Sequence, residues 1–151
     1  MARVFINDQA DTKHFYTVDQ SVGVGGANSR EDVLLVQFFL RVGMENSPQS
    51  AGFIPPGEKP ISIDGSCGRQ TNTYIKFFQV EEGRRTPGFA TTTEGRIDPV
   101  TTGTFRGSIT GRLLTIIALN IVYRTRRGIL IADIKKDPLF PAELTKSFYI
   151  N

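Results

Sequence analysis

The sequence predicts a mainly α fold, and three observations predict it. Apolar residues recur at helical spacing in three separate stretches, Val33 to Leu40, Thr71 to Phe78 and Leu113 to Ile121. An acidic residue followed by glycine precedes the second and third of them, at Asp64-Gly65 and Glu94-Gly95, where a tight turn feeds a helix. Strand-like residues, β-branched and aromatic, gather near the N-terminus. The expected architecture is a three-helix bundle with an N-terminal β-hairpin and a C-terminal arm. Its parts are residues 1–28, 29–126 and 127–151.

The hairpin is read from Arg3-Val4-Phe5-Ile6 and His14-Phe15-Tyr16-Thr17-Val18, with polar Asn7 to Asp11 between them. A glycine-rich passage, Val22 to Ala27, follows. The first helix starts after Asn28 or Ser29. Ser29 can cap its free amides, and Glu31 and Asp32 suit the positive end of its dipole. Val33, Val36, Gln37, Leu40 and Gly43 hold helical spacing, but Leu34, Leu35, Phe38 and Phe39 are apolar too. A helix apolar nearly all round is buried on more than one side. The hairpin, the arm or a partner protein must cover its second face.

Residues 44–62, with four prolines, read as a long loop. The second helix is predicted over Arg69 to Val80, ended by Glu81-Glu82-Gly83, with Thr71, Ile75 and Phe78 on one face. Another loop rich in Gly, Thr and Pro leads to a third helix over Gly111 to Arg126. Its β-branched content leaves a strand open there, and length favours the helix. The tail offers a strand at Gly128 to Ala132 and a helical turn at Ala142 to Ser147. The two blocks Asp64 to Gln79 and Glu94 to about Arg124 echo one another as turn plus helix.

A chain of 151 residues is normally one domain, with roughly 70% of its unfolded surface buried on folding. The net charge is +3, and from Thr101 onward eight basic residues face three acidic ones. That end suits an anionic partner, although Arg124, Arg126 and Arg127 equally suit the negative end of a helix. No aromatic platform or recognition-helix pattern supports nucleic-acid binding. Gly23-x-Gly25-Gly26-x-Asn28 lacks the strand and final glycine of a dinucleotide loop. His14 and Cys67 are the sole histidine and cysteine, too few for a zinc site and too far apart to suggest a nucleophile pair. Cys67 is read as a small buried apolar group. No disulfide, cofactor or metal is expected, and no enzyme activity. The longest apolar run, Leu113 to Tyr123, is too short to span a bilayer. The N-terminus lacks the apolar run of a secretory signal, so synthesis in the cytoplasm is expected, with delivery to the envelope or to an extracellular particle by another route.

Three ordered fragments resemble the peptidoglycan-binding-like domain family, a small three-helix module. They are Val33-x-x-Val36-Gln37-x-x-Leu40-x-x-Gly43; Asp64-Gly65, Gly68, Thr71, Ile75 and Phe78-Gln79; and Glu94-Gly95-Arg96-Ile97-Asp98-Pro99, with Glu where the family usually has Asp. The resemblance covers roughly Asp32 to Arg126. Cys67 stands where the family often carries an aromatic ring, and the 44–62 loop is longer than the usual link. Physically, Gly65 can take the positive φ of the turn, Asp64 can accept amides one or two residues on, Gly68 lets the loop approach a helix, and Phe78 buries its ring.

The resemblance implies a non-catalytic module that binds peptidoglycan or a muropeptide. The exposed positions expected to touch ligand are Arg69, Asn72, Thr73, Tyr74 and Lys76, since Arg and Asn suit the carboxylates and amides of wall peptides. The alternative is a structural or adaptor subunit of a phage-tail-like or contractile secretion assembly that reuses this fold. The apolar first helix, the long loop and the basic tail favour it.

Overall fold

The computed structural model describes residues 3–6, 14–101, 105–107, 110–146 and 149–150. Three α-helices, α1 (Arg30–Gly43), α2 (Arg69–Arg85) and α3 (Thr115–Arg127), make a mainly α core. The expected N-terminal hairpin is present. β1 (Arg3–Ile6) pairs antiparallel with β2 (His14–Thr17), Arg3 opposite Thr17 and Ile6 opposite His14. The polar connection Asn7 to Asp11 lies outside the described residues. Two further short strands, β3 (Val22–Gly23) and β4 (Arg96–Ile97), pair antiparallel, and β5 (Tyr149–Ile150) runs parallel to β1.

Eleven of the fourteen α1 residues are buried, as its all-round apolar pattern requires. The cover comes from the chain itself: α2, α3, β3 and a 3-10 turn at Ala142–Lys146 all pack on α1. The arm supplies Ile131, Ile134 and Leu144 to the same core. Phe38, Phe39 and Tyr123 meet at centroid distances of 5.4 to 5.6 Å, joining α1 to α3. Buried aromatic clusters of this kind supply much of a small core's transfer energy.

Several elements differ from expectation for physical reasons. Ser29 stands at the N-cap of α1 but does not cap it; its hydroxyl donates to Gln20 Oε1 at 2.7 Å. Asp32, in the first turn, accepts the Asp19 and Gln20 amides instead and is wholly buried. Burial pushes its carboxyl above the usual range, against those two hydrogen bonds. α2 runs past Glu81-Glu82-Gly83 to Arg85, because Glu81 pairs with Arg84 and Arg85 across the last turn. α3 begins at Thr115, four residues later than its pattern suggested, since Arg106 and Leu113 form a β-bridge just before it. The 128–132 segment is a 3-10 turn and not a strand.

Asn120 explains why an apolar helix carries an amide at its centre. Its Oδ1 accepts the Tyr16 N–H at 2.8 Å and its Nδ2 donates to the Tyr16 carbonyl at 2.8 Å. One side chain thus completes the open edge of β2, where a neighbouring strand would otherwise stand.

Candidate functional site

Two glutamines organise the motif-bearing turns, and they do so in the same way. Gln37 on α1 accepts the backbone N–H groups of Asp64 (3.0 Å) and Gly65 (2.8 Å) through Oε1. Its Nε2 donates to Asp64 Oδ1, the Ser66 carbonyl and Thr71 Oγ1, each at 3.0 Å. Gln79 on α2 accepts the Gly95 N–H at 2.9 Å and donates to the Arg96 carbonyl and to Thr115 Oγ1, both at 3.0 Å. Each glutamine therefore clasps the turn that follows its helix and the threonine that opens the next helix. Gly65 and Gly95 take φ of 79° and 80°. A side chain there would also press on Arg30 or Lys76, so glycine is required twice over.

The two turns differ in their acids. Asp64 Oδ1 accepts the Ser66 N–H at 2.9 Å, closing a local ring, and this bond with that from Gln37 holds its carboxyl below the usual range. Glu94 is one methylene longer and exposed, and among the described residues it reaches only Arg96, at 3.8 Å. In the second block Asp98 takes side-chain hydrogen bonds instead, from Ser21 (2.7 Å) and Arg96 (2.8 Å). Burial raises the Asp98 carboxyl and those two donors more than offset it, leaving it lowered. Gly68 needs no special space, since a side chain there would meet open solvent. Cys67 is half-buried, its thiol donating to Asn72 Oδ1 at 3.4 Å, and burial pushes the thiol up.

The glycine-rich passage is structural. Gly23 lies so close to the second turn that a side chain would overlap the Gly95 carbonyl. Asn28, itself at φ 54°, ties the loop by accepting the Gly23 N–H and donating to the Gly23 and Gly26 carbonyls.

The candidate contact residues divide. Arg69 is exposed and donates to Glu58 at 2.7 Å. Thr73 donates back to the Arg69 carbonyl at 2.8 Å, and Asn72 is half-buried beside Cys67. Lys76 is exposed, its stem lying over Gly95. Tyr74 is a correction: it is fully buried and its hydroxyl donates to the Lys59 carbonyl at 2.6 Å. It anchors the long loop and does not stand on the exposed face of α2. Helical spacing put Tyr74 beside exposed neighbours, while the loop that covers it comes from residues 59–61, which periodicity within the helix does not report.

Two concave surfaces among the described residues lie elsewhere. A groove of about 580 Å³ opens where the C-terminal halves of α2 and α3 meet the 47–53 loop. Its floor holds Phe53, with Phe78 at a centroid distance of 4.8 Å behind it. The Arg85 and Arg126 guanidiniums stand 4.2 and 5.8 Å from the Phe53 centroid, and both donate to the Ala51 carbonyl. A smaller groove of about 280 Å³ lies over the second turn, between Arg96, Asp98 and Arg112. Arg127, which the sequence grouped with these cations, is occupied internally: it pairs with Glu45 at 2.8 Å and with buried Asp137 at 2.9 Å, and both raise its proton affinity. Among the described residues no group of three or more His, Cys, Asp or Glu side chains could hold a metal ion, and no helix is long and apolar enough to cross a membrane.

Comparison with protein families, with curated proteins and with solved structures found no match to this chain.

Proposed function

We propose that this chain is a non-catalytic binding module of the peptidoglycan-binding-like kind, and that its ligand is the peptidoglycan of a cell wall. The doubled glutamine clasp carries the reading. It gives a shared structural role to Gln37, Gly65 and Thr71 in one block and to Gln79 and Gly95 in the next, which are residues on which the resemblance rests. It also makes those residues scaffold, so recognition falls to the surface around them.

The test is co-sedimentation of the full chain with purified sacculi, beside light scattering. A monomer that pellets with sacculi is expected, and a monomer left in the supernatant overturns the reading. The apolar girth of α1 argues for an adaptor subunit in a tail-like or injection assembly only where a partner covers it. Here the arm and the other helices cover it. A stable multimer indifferent to sacculi would favour the adaptor instead.

A further inference from the structure

The groove between α2, α3 and the 47–53 loop contains a group that the fold does not explain. Glu82 is 6% exposed and lines the groove. Among the described residues its carboxyl has no hydrogen-bond or ion-pair partner, and it feels Arg85 and Arg126 only at longer range. A buried polar group without a partner costs stability and is rare. Around it stand Arg84, Arg85 and Arg126, three cations against one acid, with Phe89 exposed in the wall. Arg126 is half-buried; burial and the neighbouring Arg85 lower its proton affinity, while Glu45 and Glu82 work the other way.

We propose that this groove binds the free carboxylate of a short peptide, with Arg126 and Arg84 receiving the carboxylate and Glu82 receiving an amide or ammonium group of the same ligand. The pairing fits because guanidinium forks match carboxylates in geometry, and because a lone buried acid between cations is satisfied by a ligand that brings both signs. Phe53 and Phe89 supply apolar surface for the side chain beside the carboxylate. Identifying the peptide as the stem of peptidoglycan rests on the reading above.

The probe is a soluble muropeptide with a free tetrapeptide stem, titrated calorimetrically into the full chain beside the same compound with its carboxylates amidated. Binding of the free acid is expected, weakened about tenfold by amidation, by Arg84→Gln and by Arg126→Gln, the loss of one charge-assisted hydrogen bond. Glu82→Gln tests the second contact at almost unchanged volume. Arg126 also holds the 47–53 loop, so its variant is judged beside Arg84→Gln, whose side chain is 71% exposed and, among the described residues, pairs with Glu81 alone. Equal affinity for the amidated compound, undiminished binding by Arg84→Gln, or no binding of either compound overturns the groove. If sacculi still sediment the groove variants, the wall reading stands and the groove does not. If sacculi fail to sediment the chain while unrelated free-carboxylate peptides bind in an Arg84-dependent way, the wall reading falls and the groove stands.

Discussion

Replacing Gln37 by Leu removes a side chain that makes five hydrogen bonds and fills nearly the same volume. Cavity formation therefore contributes little, and the loss falls on stranded polar groups. Two backbone N–H groups, at Asp64 and Gly65, lose their acceptor; the Gly65 position is buried and the Asp64 position is exposed. Thr71 Oγ1, which is buried, loses a donor. At about 1–3 kcal/mol for each group left unsatisfied in the interior, and less for the exposed one, the cost is about 2–5 kcal/mol. For a chain of this size that lowers the melting temperature by about 5–15 °C. The assay is chemical and thermal unfolding of Gln37→Leu beside Gln79→Leu. Gln79 clasps a different turn and shares no partner with Gln37, so the two losses are expected to add in the double variant. A Gln37→Leu protein within about 0.5 kcal/mol of the parent would refute the clasp as a stabilising device.

Asp137→Asn should cost about 3 kcal/mol and release residues 128–146 first, seen as faster amide exchange there, because Asp137 takes hydrogen bonds from Tyr123, Arg127 and the Leu139 amide at zero side-chain exposure. Tyr74→Phe should lose about 1 kcal/mol with its bond to Lys59, and amide exchange should quicken in the loop before α2. Burial raises the Glu82 carboxyl in the folded state, so the folded chain binds that proton more tightly than the unfolded one. Its contribution to stability is fully present below the unfolded carboxylate range and fades as pH rises through the folded value. Glu82→Gln should therefore be more stable than the parent at pH 7, and the gap should close on acidification; a gap independent of pH would contradict the assignment.

The helices were legible because their apolar spacing exceeds what any loop carries, and α1 was read as buried on more than one side because its eight apolar side chains leave no polar face wide enough for water. The Asp-Gly turn was legible from the chemistry of two residues. The clasp was not, since Gln37 and Asp64 lie 27 positions apart and nothing local marks a glutamine as a turn's partner. β3 and β4 were missed because two-residue strands have no period to detect. Tyr74 was misplaced because its cover comes from a loop. The groove draws on Phe53, Glu82 and Arg126, three segments whose meeting only the folded chain displays.

The β1–β5 pairing places residues 3 and 4 beside residues 149 and 150. A growing chain cannot complete its first sheet, nor seal the apolar circumference of α1 with Leu144, until residues 144–150 have left the ribosome. Contacts this distant along the chain slow folding and leave greasy surface open meanwhile. The hairpin and α1 thus wait through the synthesis of α2, α3 and the arm before they are covered, and any version lacking the arm would be a client for chaperones before it is a binder of anything.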